Sequence, residues 1–64
     1  MRTIKFIQGV KEWVKDEVTH FRTYAILDDG SEAVGYGKDF NVGDKVEYFF
    51  DEAHNTPKMQ KGKQ

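Results

Sequence analysis

Cysteine is absent from this 64-residue chain, proline occurs once, and no segment comes near the roughly 20 apolar residues of a membrane span. Without cysteine, neither a disulfide nor a thiolate-bound metal can staple so small a domain, so packing must hold it together. A secretory leader needs an apolar stretch that the N-terminus does not have. Together these absences predict a soluble, cytoplasmic protein with no membrane partner. A chain of about this size buries only about 60% of the surface its unfolded form exposes, which disfavours a deep active site. No serine or threonine has a base and an orienting group beside it in a recognisable pattern, so the expectation is a non-enzyme with no catalytic residues and no cofactor. His20 and His54, the two histidines, form no metal-ligand spacing and read as surface or turn residues, so no metal is expected.

What is present is a chain that is 38% hydrophobic and 33% charged, with nine aromatics, which are expected to build most of a core. The net charge of −1 is unevenly spread. Residues 1–27 hold five bases and three acids, residues 28–52 eight acids and two lysines, and residues 53–64 three lysines and no acid. A basic face assembled from the first third and the tail is compatible with a nucleic-acid partner; the acidic middle suits a basic protein surface.

Turn signals divide the chain into short extended pieces. "DDGS" (Asp28 to Ser31) reads as a hairpin turn, "VGD" (Val42 to Asp44) restarts the chain, and "HNTP" (His54 to Pro57) breaks the last pair. The strands expected are Thr3–Val14, His20–Leu27, Glu32–Tyr36, Lys45–Phe50 and Lys58–Lys61, an all-β sandwich or barrel. One domain over residues 1–61 is predicted, with 62–64 a frayed basic tail. In the long first strand, Ile4, Phe6, Val10 and Val14 share one parity and Ile7 the other, and Gly9 marks a bulge or bend. A competing pattern is helical: Val10, Trp13, Val14, Val18 and Phe21 form a stripe, giving an α+β alternative with a helix around residues 10–20. Three β-branched valines, the lack of an N-cap and the following run "HFRTYAIL" favour the strand.

From Gly9 to Lys61 the succession "GVKEWVK", "HFRTYAILDDGSEAVGYG", "VGDKVEYFFD", "PKMQK" resembles small OB-fold nucleic-acid-binding proteins, among them bacterial translation initiation factor one and cold-shock domains. The close matches, "DDG" and "VGDKV", are fold-forming turns. The resemblance implies a five-stranded OB-like barrel that binds single-stranded DNA or RNA, with a protein of replication, transcription or translation as a further partner. It departs from cold-shock domains in having only "FRTYAIL" as a partial aromatic motif, and "GKDFN" is too short for the helix many OB-folds carry there.

On this scheme Lys11, Trp13, Lys15, Arg22 and Tyr24 share an outer face, joined by Tyr36. Cations there would follow phosphates and flat rings would stack on unpaired bases. Trp13 is equally well explained as plain core. "GYGKDF" groups Tyr36, Lys38 and Phe40, which the flanking glycines make a bend in preference to a ligand site. In "EYFF", Val46, Tyr48 and Phe50 are expected inward and Phe49 outward, either packed under the tail or offered to a ligand or partner. The second functional reading is a protein-interaction module, an adaptor or inhibitor of a nucleic-acid enzyme, acting through Asp28, Asp29, Glu32 and Phe49.

Overall fold

The computed structural model describes residues 1–62, all of them strand, turn or irregular chain without a helix. The α+β alternative is therefore overturned: residues 10–20 continue the first strand and turn back into the second. Five strands, β1 (Arg2–Lys15), β2 (Val18–Leu27), β3 (Glu32–Tyr36), β4 (Lys45–Asp51) and β5 (Thr56–Lys61), form one sheet that closes in a ring in the order β1-β2-β3-β5-β4. All neighbours are antiparallel except β3 and β5, and β1 completes the ring by pairing Arg2 with Val46 and Thr3 with Lys45.

β1 serves both ends of the ring because it is bulged twice. Its register against β2 shifts between Ile4 and Phe6 and again between Ile7 and Gly9, each shift inserting one residue on β1. A bulge reverses which parity faces inward, so the simple alternation expected for this strand fails. Ile4 is buried and Ile7 packs on the core, whereas Phe6 turns outward with 58% exposure. The bend anticipated at Gly9 is present, with a second one upstream that no glycine announces.

The core is mainly aliphatic. Ile4, Leu27 and Val46 are fully buried with Ala25, Ala33, Phe40 and Met59, and Ile7 and Tyr48 pack against them. Ala25 and Ala33 lie directly opposite each other, both buried. Of the nine aromatics only Phe40 is in the buried set, so the expectation of an aromatic core is corrected. Phe40 reaches that position by folding back over Gly35, where a Cβ would stand 2.5 Å from its ring. The "GYGKDF" glycines therefore serve a bend and a close approach. Thr23, the buried polar side chain, donates to the Gly37 carbonyl at 2.7 Å.

Two turns follow their sequence signals. Gly30 takes φ +87° in "DDGS", and the Asp29 carboxylate accepts the Ser31 amide at 3.0 Å. Gly43 takes φ +94° in "VGD" and donates to the Ile4 carbonyl. The last hairpin turns earlier than "HNTP" implied: Thr56 and Pro57 already belong to β5, opposite Asp51 and Phe50. Of the tail expected to fray, Gly62 donates to the Lys45 carbonyl at 3.1 Å; Lys63 and Gln64 lie outside the described residues.

Beyond the ring, β1 and β2 run on as a two-stranded arm. Val10 to Lys15 pair only with β2, and Val18 to Phe21 have no β3 partner. Its turn is Asp16-Glu17, both left-handed at φ 53° and 64°, the conformation of a two-residue hairpin loop. Val10 and Val14, expected to be inward, continue the inner face past the end of the core and are 52% and 67% exposed.

Candidate nucleic-acid interface

Cross-strand register assembles the outer face. Lys11 lies opposite Arg22, which lies opposite Tyr36, and Trp13 lies opposite His20. Residues directly opposite in an antiparallel pair point to the same side, so these side chains converge on one surface. Trp13 and His20 stack at 5.4 Å between centroids with an 18° interplanar angle. Tyr36 meets Trp13 edge-on at 6.4 Å and His20 at 5.9 Å, and its hydroxyl shares a hydrogen bond with His20 Nδ1. The Arg22 guanidinium lies over the Trp13 ring at 5.1 Å.

The division of labour among the rings follows from what covers them. Trp13 is half-buried, stacked by His20 and overlaid by Arg22, so it is neither core nor a bare platform; it orders its neighbours. Tyr36 is 69% exposed and offers the open ring. Tyr24 sits one row nearer the body, between Gly9 and Val34. Lys15 shares the face near the arm's turn, opposite Val18. Lys38 leaves the cluster and lies over Phe21, on the arm's other face, at 4.7 Å.

His20 was not anticipated as a member. Its place depends on the Asp16-Glu17 turn, which sets the pairing with Trp13, and "KDEV" has neither the glycine nor the asparagine that usually announces such a turn.

A groove of about 750 Å³ continues this surface toward β5 and β4. Arg22 and Tyr36 line its near side, and Phe49, His54, Lys58 and Lys61 line the far side. Phe49 is outward as expected, 43% exposed and opposite Lys58. Phe50 was expected inward but is 51% exposed, because it pairs with Pro57 beyond the core. Asp51 organises this hairpin: its carboxylate bonds the Lys58 ammonium at 2.8 Å and the His54 ring at 2.9 Å, and accepts the His54 amide. The Lys58 bond first, and His54 second, hold Asp51 well below the usual carboxylate range. Lys61 lies 3.8 Å from Asp44.

The acidic residues are arranged differently. Asp29 accepts the Ser31 amide and pairs with Arg2 at 3.1 Å; the Ser31 bonds first, with Arg2 adding to them, lower its carboxyl. None of Asp28, Asp29 and Glu32 lines the groove that holds Phe49. No family model matches the chain, and no curated protein or solved structure matches it either.

Proposed function

We propose that the protein binds single-stranded DNA or RNA on the outer face of β1, β2 and β3, with little sequence preference. Lys11, Lys15 and Arg22 hold phosphates, Tyr36 and Tyr24 stack on bases, and Trp13 with His20 fixes the geometry of Tyr36 and Arg22. The observation that carries this reading is the Trp13–His20–Tyr36 cluster with Arg22 above it, an aromatic and cationic surface open to solvent. The strand order and the parallel β3–β5 pair support an OB-like barrel, a fold whose second and third strands form a common nucleic-acid platform. No acid lies opposite Lys11, Trp13 or Arg22 in the ladders that build the patch, whatever the chain's net charge. Such a ligand goes with a cytoplasmic location.

Titrating Trp13 fluorescence with oligo-dT and oligo-U at two salt concentrations tests it. Binding should shift the emission, and log K should fall linearly with log salt, with a slope set by the few phosphates contacted. Tyr36→Ala should weaken binding by about 1–3 kcal/mol, the usual worth of one stacked base; since Tyr36 also packs on Trp13 and His20, retained amide protection at Ala25 and Val46 shows that the body stays folded. Unaltered emission at both salts, with no binding by an independent method, would refute the proposal.

A further inference from the structure

The cross-strand ladders connect the proposed interface to the far side of the groove. On the outer surface Tyr24 stands opposite Val34, Val34 beside Lys58, and Lys58 opposite Phe49. This single row crosses β2, β3, β5 and β4, and at about 4.8 Å per strand it measures about 14 Å from Tyr24 to Phe49. Its neighbouring row holds Lys11, Arg22 and Tyr36. Arg22 and Tyr36 line the same groove as Phe49, with Val34 and Lys58 of the row between them. Phe49 is a large apolar ring held outward on a face where β4 and β5 also carry Glu47, Asp51, Thr56, Lys58 and Gln60, with no packing in the core to account for it.

We propose that Phe49 is a second base-stacking position, reached by the same strand of nucleic acid after it crosses Tyr24 and Tyr36 and enters the β3–β5–β4 groove. This rests on the nucleic-acid reading above and gives it a direction across the sheet. The far position works by stacking more than by charge. Lys58 is already bonded to Asp51, and Lys61 is near Asp44, so neither ammonium is free to the extent that Arg22 is. The strand thus makes its phosphate contacts mainly over β1 and β2 and gains a stacked base over β4.

A series of oligo-dT from three to twelve nucleotides, titrated into the wild type, Phe49→Ala, Phe49→Leu and Tyr36→Ala, separates the possibilities. In the wild type, affinity should rise with length to a plateau. Phe49→Ala should lower that plateau about 5-fold or more and reach it at a shorter length, with the shortest oligonucleotide unaffected and the salt slope unchanged. Phe49→Leu, which keeps apolar bulk and protects against a folding artefact, should behave as Phe49→Ala because it also removes the ring. The second position is overturned if Phe49→Ala matches the wild type at every length, if it weakens short and long oligonucleotides alike, or if Phe49→Leu restores full affinity. In those cases a loss on Tyr36→Ala keeps the main interface intact. Absence of binding by the wild type at all lengths defeats both proposals.

Discussion

The ring and the arm are made from the same two strands under opposite conditions. In the ring, Ile4, Ala25 and Leu27 are sealed against Ala33, Val46 and Met59 from the other three strands. In the arm, a few residues further along, Val10, Val14 and Val18 are more than half exposed, and among the described residues each strand pairs with the other alone. An isolated two-stranded ribbon is marginal in water. The arm must therefore be held by its turn, by its ladder and by the Trp13–His20–Tyr36 cluster, which ties it to the end of β3. The difference teaches that valine in the arm marks a strand and does not mark burial. The proposed interface lies at the junction, where the arm's side chains meet the body's.

The strongest way to break the comparison is paired truncation. Leu27→Ala in the ring should cost about 2–5 kcal/mol by urea denaturation, a large part of the stability of so small a domain. Val14→Ala in the arm should change it by less than about 0.5 kcal/mol, and equal effects would mean that the arm is part of the core. Trp13→Ala comes next. Removing two aromatic contacts should cost about 1–3 kcal/mol locally, seen as loss of amide protection from Val10 to Phe21 with protection in Ala25 and Val46 retained.

A smaller effect, of opposite sign, sharpens the view of the turn. Glu17 holds φ 64°, which an L-residue adopts at a cost, so Glu17→Gly should stabilise the arm by up to about 1 kcal/mol. Loss of stability instead would mean that the Glu17 side chain contributes something the backbone does not. The smallest effect concerns Asp51 at the opposite end of the molecule. Its folded-state pKa is depressed by Lys58 and then His54, so its contribution is present above the ordinary value of 3.8 and is lost as pH falls toward the folded value. The difference in thermal midpoint between the wild type and Asp51→Asn should be largest at pH 5 and should narrow as the solution is taken down to pH 2. A difference as large at pH 2 as at pH 5 would show that the Asp51 charge is not its source.

Much of the fold was legible because turns leave chemical marks. "DDGS" and "VGD" carry glycines that must take positive φ, and they fixed the starts of β3 and β4. The outward set Lys11, Trp13 and Lys15 followed from local alternation, which is intact in that stretch. The bulges before Phe6 and before Gly9 left a weaker trace, since only one of them has a glycine, and so the facing of Phe6 and Ile7 was inverted. The partners of Asp29 were not legible because they are far away or depend on turn geometry: Arg2 is 27 positions distant along the chain.

By itself the sequence determined an all-β chain of five strands, the positions of two of its turns, and which residues of the arm share a face, because these depend on backbone sterics and a two-residue period. Tertiary structure alone decided that the core is mainly aliphatic, that Val10 and Val14 are exposed, that His20 packs on Tyr36, and that Phe49 lines the same groove as Tyr36. Each of those outcomes depends on where the ring closes and how strands far apart in the chain are registered, and no local rule encodes either quantity.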